Sequence, residues 1–177
     1  MRLDVQAFCK EAAKIDGRWP LAQCERVAEV MVADGEARQG QEVVDWHAAG
    51  EQRRPRGGQV QPWLHLSART RLALACQRCL QPVRMAIEVD RNFRFVEGEN
   101  QAAEIDAESE DDVLALPRAL DLRELVEDEL LLALPLVPRH AVCPEPLPWG
   151  ADSDAPAESK ANPFAALAAL KRGGAPN

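Results

Sequence analysis

The chain has 177 residues, 46% of them hydrophobic, and 21 lysines and arginines against 29 aspartates and glutamates give a net charge of -8. That length suits one domain with appendages and that composition buries a real core, so a multidomain machine and a wholly disordered chain are both excluded. Residues 51–94 carry 9 basic and 3 acidic side chains and residues 95–129 carry 2 and 13, a +6 block followed by a -11 block, which excludes a uniformly basic nucleic-acid coat and suits partners of both signs.

The N-terminal stretch MRLDVQAFCKEAAK holds five charges and no apolar run, so it does not read as an export signal. The longest apolar stretch, Leu130 to Pro138, is far shorter than the roughly 20 residues a bilayer span requires. A soluble cytoplasmic protein is expected, and its five cysteines then read as reduced thiols or metal ligands before disulfides.

In chain order, Leu3, Ala7, Phe8, Ala12 and Ile15 fit a short amphipathic helix that Arg18-Trp19-Pro20 ends. Leu21, Cys24, Val27, Ala28 and Met31 fit a second helix of about three turns. Val43, Val44 and Trp46 open a strand, and residues 49–58, with RRPRGG, read as an exposed loop. Apolar and polar residues alternate over 60–75 and 82–96, which predicts two half-buried strands. Cys76 to Gln81 between them is short enough for the turn of an antiparallel hairpin. Residues 97–112 hold eight acidic groups and one large aliphatic, Ile105, and read as a mobile acidic loop. Val113 to Leu116 suggests a brief strand. Asp121 with Glu124 three positions on is a capping box for a helix whose stripe is Leu122, Leu125, Val126 and Leu130. Pro135 predicts its end near Ala133.

Residues 144–161 read as a proline-rich linker. Asn162, Pro163 and Phe164 then start a short C-terminal helix over 162–172, with Asn as cap and Pro at the first helical position. The expectation is an α+β fold: one domain over 1–143 with an antiparallel sheet, a CxxC hairpin turn and a few covering helices, followed by linker and helix.

Among the chemical motifs, Cys76-Gln77-Arg78-Cys79 is the sharpest. His140 and Cys143 repeat the same spacing and would complete a tetrahedral Cys3His site for zinc. The plain alternative is two thiols packed in a turn and two residues of a proline-rich tail. A thioredoxin-like redox role needs a βαβ setting, which the hairpin does not offer. Cysteine-nucleophile catalysis needs a positioned base, and His47, His65 and His140 lie in no such pattern. Gly35 and Gly40 have P-loop spacing, but Gln41 stands where the lysine belongs. Glu127, Asp128 and Glu129 point about 100° apart on a helix and cannot converge on one substrate. Glu129 falls on the apolar stripe, where a carboxylate needs an arginine or a backbone donor, or else contacts a partner.

Arg53, Arg54 and Arg56 in the loop, with Arg78 and Arg84 in and after the turn, are the candidate RNA contacts. Arg69, Arg71, Arg91 and Arg94 extend the set, and Trp63, Phe93 and Phe95 are candidate stacking faces. Strand residues of alternate parity face opposite ways, so these arginines need not share one surface.

CQRCLQPV, then DLRELVEDELLLALPLVPRH followed by Cys143, and finally NPFAALAALK resemble, in this order and spacing, the bacterial YceD family of large ribosomal RNA subunit accumulation proteins. The resemblance implies a non-enzymatic role in synthesis, processing or stability of 23S rRNA, with that RNA or a pre-ribosomal particle as partner. Some relatives carry more cysteines after the LPLVP segment, which suits metal binding. A rival expectation is an acidic adapter that holds a basic ribosomal protein or a processing enzyme. Asn162, Pro163 and Phe164 are its candidate contacts beside Glu129.

Overall fold

A computed structural model describes residues 1–33, 42–55, 58–109 and 111–144. Met1 to Cys143 form one compact unit, and its frame is a five-stranded sheet in the order β2-β3-β4-β5-β6. The strands are β2 (Lys14–Pro20), β3 (Val43–Arg53), β4 (Gln61–Ala75), β5 (Pro82–Val96) and β6 (Asp112–Ala115). All neighbours are antiparallel except β5 and β6, which run parallel. A parallel pair needs a crossover, supplied here by α3 (Glu99–Asp106).

Period-two alternation divides the sheet into two faces. Val44, Trp46 and Ala48 of β3, Leu64, Leu66, Leu72 and Leu74 of β4, and Val83, Ile87 and Phe95 of β5 are buried on one of them. This face joins one core with α1 (Val5–Lys10), α2 (Glu25–Glu29) and α4 (Leu122–Leu132) through Val5, Phe8, Val27, Leu122, Val126 and Leu130. Gly50 permits a close approach of α1, since a Cβ there would lie 2.6 Å from the Phe8 ring and 3.0 Å from the Cys9 Cα. A two-stranded ribbon, β1 (Arg2–Leu3) with β7 (Leu120–Asp121), ties the N-terminus to the start of α4. There the Asp121 side chain accepts the Arg123 and Glu124 amides at 3.0 and 3.4 Å.

Four expectations require correction. The helix expected over 3–15 is only α1, after which the chain turns through Ala12 at φ +49° into β2. Gly17 and Pro20 disguise the alternation of β2, and an edge strand tolerates that proline. The helix from Leu21 is a 3-10 turn over Leu21–Gln23 followed by the five-residue α2. The loop expected from residue 49 starts later, because pairing with β4 carries β3 to Arg53, opposite Gln61. The acidic loop contains α3, which packs Ala102 and Ile105 on Val96 and Val113. Counting large aliphatics missed this helix, since alanine is a strong helix former and lets backbones pack closely. The proline-rich linker beyond Pro144 and Asn162, Pro163 and Phe164 lie outside the described residues.

Candidate metal centre

The sheet delivers the two halves of the site to one end. β4 and β5 pair from Trp63–Arg94 through Ala75–Pro82, which leaves Cys76 to Gln81 as their connection. The Cys76 amide donates to the Gln81 carbonyl at 3.0 Å and the Leu80 amide to the Cys76 carbonyl at 2.8 Å. Leu80 sits at φ +61°, the left-handed conformation that folds the turn back on itself. From the other side, α4 ends at its C-cap Ala133. The following chain runs to the turn, where the Gln77 amide donates to the Pro138 carbonyl at 2.8 Å.

These two segments bring the Sγ atoms of Cys76, Cys79 and Cys143 and a ring nitrogen of His140 within 4.8 Å of one another. The Cys76 and Cys143 sulfurs are 3.9 Å apart, and Cys79 Sγ is 3.5 Å from His140 Nδ1. Tetrahedral coordination with Zn–S near 2.3 Å and Zn–N near 2.05 Å gives ligand separations of about 3.8 Å for S···S and about 3.6 Å for S···N. Those two separations match edges of a metal tetrahedron, and all four candidate ligand atoms lie within 4.8 Å of one another. All three cysteines are buried and His140 is half-buried.

The surroundings act differently on the four candidate ligands. His140 Nε2 lies 3.0 Å from the Pro82 carbonyl, which can only accept, so the proton belongs on Nε2 and the Nδ1 lone pair faces the sulfurs. Arg78 Nε donates to Cys143 Sγ at 3.0 Å, and its Nη2 reaches the His140 carbonyl at 3.5 Å. Burial by itself would push the Cys76 thiol up, but hydrogen bonds from the backbone at His140, Arg78 and Cys79 bring it down to about 5. Burial pushes Cys79 up. The other two thiols lie outside this cluster. Cys9 donates to the Trp63 carbonyl at 3.0 Å, and burial pushes both Cys9 and Cys24 up, as for inert core thiols.

The remaining candidates scatter. Arg53 pairs with Glu51 and lies 4.5 Å over the Trp63 ring, so it covers the face expected to stack a base. Phe93 and Phe95 are core residues and offer no stacking face either. Arg54 is exposed on the loop after β3, Arg84 is exposed near the start of β5, and Arg56 lies outside the described residues. Arg78, an RNA candidate from its position alone, donates to the Cys143 sulfur. Its place between the two cysteines was the available signal. Glu129 has its arginine within the chain, Arg91 Nε at 3.5 Å.

The sheet's second face carries a shallow trough lined by Asp16, Asp45, His47, Ser67, Arg69 and Asp90. Its charges cancel locally: Arg18 and Arg69 lie 2.7 and 3.7 Å from Asp45. His65 Nε2 stands 2.9 Å from Asp90, and among the described residues Ser67 makes no hydrogen bond to either histidine.

The family model described as "Large ribosomal RNA subunit accumulation protein YceD" matches residues 64–171, a stretch that contains all four candidate ligands. The Large ribosomal RNA subunit accumulation protein YceD of Haemophilus influenzae is 36% identical over 104 residues, 56% of this chain and 59% of that protein. The match thus spans less than two thirds of the relative's length. No solved structure matches. With more than half of its residues covered by one family model, this chain belongs to the YceD family.

Proposed function

We propose that this chain is a non-enzymatic, cytoplasmic ribosome-biogenesis factor that sustains the accumulation of 23S rRNA through its synthesis, processing or stability, and that Cys76, Cys79, His140 and Cys143 hold a structural zinc ion. The carrying observation is the Cys3His cluster, which lies inside the family-matched stretch and joins the hairpin turn to the segment after α4. Three thiolates and one imidazole are a soft tetrahedral donor set of the kind zinc prefers. Four protein ligands fill the coordination sphere, so the ion has no open position for water or substrate and serves the fold. Bound there, zinc supplies a rigid cross-link between segments more than fifty residues apart in sequence. Among the described residues no helix is long and apolar enough to cross a membrane.

A specific observation favours a second reading, the adapter for a basic ribosomal protein or processing enzyme. On the second sheet face Arg69, one of the arginines expected to track phosphates, lies 3.7 Å from Asp45, which Arg18 also contacts, while the acidic side chains Glu99, Glu104 and Asp106 of α3 are exposed.

The test combines depletion in the source cells with metal analysis of the purified full chain. Depletion is expected to lower 23S relative to 16S rRNA, the wild-type gene to restore it, and a Cys76→Ser, Cys79→Ser variant to fail. Unchanged 23S levels would sink the rRNA role. A metal-free full chain as stable as the metal-bound one would sink the zinc site separately. Crosslinking in cells with a high-salt wash distinguishes the readings: attached 23S fragments mean direct contact, and an attached basic protein without RNA means an adapter.

A further inference from the structure

Of the two edges of the five-stranded sheet, β2 is the longer, seven residues against four for β6, and among the described elements it pairs only with β3. The hydrogen bonds at its two ends show which backbone groups are left over. The Leu21 amide donates to the Glu42 carbonyl at 2.9 Å and the Gly50 amide to the Ala13 carbonyl at 2.8 Å, in register with the β2–β3 pairs between them. An antiparallel ladder bonds every second residue, so Ala13, Ile15, Gly17, Trp19 and Leu21 turn their backbone groups to β3. The amides of Lys14, Asp16 and Arg18 and the carbonyls of Lys14, Asp16, Arg18 and Pro20 point to the open edge. Such a row of unpaired groups is a template for one more strand.

The side chains of β2 select that strand. A second β2 running antiparallel uses the outward groups only in registers that oppose even-numbered residues. Opposing Asp16 to Asp16 also opposes Lys14 to Arg18, like charges throughout, which is unfavourable. Centring the pair on Ile15 runs it into Ala12, whose φ is +49°, and centring it on Arg18 opposes the two arginines. Centring it on Gly17 opposes Asp16 to Arg18 twice and Ile15 to Trp19 twice, and every outward amide then finds a carbonyl.

This register leaves the existing contacts in place. Arg18 keeps Asp45 through Nε at 2.7 Å, and its guanidinium has further donors on the terminal nitrogens for Asp16 of the second copy. The Asp16 side chain makes no hydrogen bond or ion pair among the described residues. On the sheet's second face Glu88, Arg69, Asp45 and Arg18 lie in one row of alternating sign, which that second Asp16 continues. On the core face Trp19 stacks on Trp46 with ring centroids 4.4 Å apart, and the half-buried Ile15 and Trp19 each gain an apolar neighbour.

We propose that the β2 edge is a self-association surface, on which a second copy of this chain adds its own β2 antiparallel about Gly17 and joins the two sheets into one. A pair of seven-residue strands is small beside the roughly 1,200 Å² of a standard interface. The dimer is therefore concentration-dependent, with a dissociation constant on the order of 10 μM. It depends neither on zinc nor on the rRNA reading.

Sedimentation of the purified full chain from about 1 to about 200 μM is expected to show a monomer at the low end and a dimer at the high end. At the high end, amide exchange should slow at Asp16 and Arg18 and stay unchanged at Gly17 and Trp19, whose amides already bond β3. Asp16→Pro removes an outward amide and spares the ladder to β3, while Asp16→Arg sets arginines opposite each other. Each should weaken association about tenfold with the melting temperature retained. Should Asp16→Pro unfold the chain, Asp16→Arg, which alters an exposed side chain, decides alone. A chain that stays monomeric at the highest concentration overturns the proposal. So does a dimer that a folded variant leaves intact, or one that slows exchange elsewhere but not at Asp16 and Arg18.

Discussion

The two ends of β5 face the same structural problem and answer it differently. At Pro82 the strand leaves a six-residue turn, and at Val96, the other end of its 15 residues and roughly 50 Å away for an extended strand, it enters the acidic segment. The turn end gathers four candidate ligand atoms, an arginine that donates to Cys143 Sγ and backbone hydrogen bonds, while Leu80, Leu136 and Val142 stay exposed. The acidic end has no such ligand set among its described residues. It is held by a small apolar cluster, Val96, Ala102 and Val113 with Ile105 and Ala115, and by Asp106, whose carboxylate accepts the Val113 amide at 3.1 Å. Side-chain chemistry orders the first end and close packing of small residues orders the second, so they should fail under different perturbations.

The largest expected effect comes from breaking the ligand set. Cys79→Ser or chelation removes a metal contribution on the order of 10 kcal/mol, and the turn and the segment after α4 should open together. Exchange at the Gln77 and Leu80 amides is expected to accelerate more than tenfold, or about 1.4 kcal/mol, while α3 amides stay unchanged. Equal acceleration at both ends would show one cooperative unit and erase the contrast.

Next in size is Ala102→Asp at the other end, which forces a carboxylate into the apolar cluster at a cost of about 3 kcal/mol. Because that cluster is small, α3 should detach locally: its amides lose protection and zinc stoichiometry stays the same. Metal loss in this variant would contradict independent ends. Arg78→Gln then sharpens the turn side alone. Removing the donor to Cys143 Sγ is expected to weaken metal binding about 10- to 100-fold, measured by competition with a chromophoric chelator. Unchanged affinity would make Arg78 a bystander.

How far each end was legible in the sequence follows from the same contrast. The turn was readable because cysteine spacing, strand alternation and the proline after α4 are local signals, and they offered Cys76, Cys79, His140 and Cys143 as one candidate site beside the plain reading of packed thiols and a tail. The convergence of Arg78 on Cys143, 65 residues away, is tertiary and carries no periodic mark. At the acidic end eight carboxylates masked a helix whose contacts rest mainly on alanine and one isoleucine, side chains too small to register as a stripe. β2 was lost likewise, since its glycine and proline look like a break when the pairing with β3 is not in view. The sharing of Asp45 by Arg18 and Arg69 is likewise tertiary, since only the sheet register brings the two side chains to one carboxylate.

The smallest expected effect lies midway between the ends, where Glu129 of α4 meets Arg91 of β5, which also reaches Asp112 of β6 at 3.8 Å. Burial pushes the Glu129 carboxyl up, the Arg91 guanidinium draws it back in part, and Asp112 and Asp128 add to the rise. A carboxyl whose folded pKa exceeds its unfolded value keeps its proton longer in the native state, so stability falls as pH rises from about 4.5, the ordinary glutamate value, through the folded value. Glu129→Gln removes this titration. The variant should show a flatter dependence of stability on pH above that point and an unchanged or slightly raised melting temperature at pH 7, by about 1–3 °C. A variant that melts several degrees lower at pH 7 would mean that the ion pair with Arg91 outweighs the burial. The middle of α4 would then be held by charge, like the turn, and not by packing, like the acidic end.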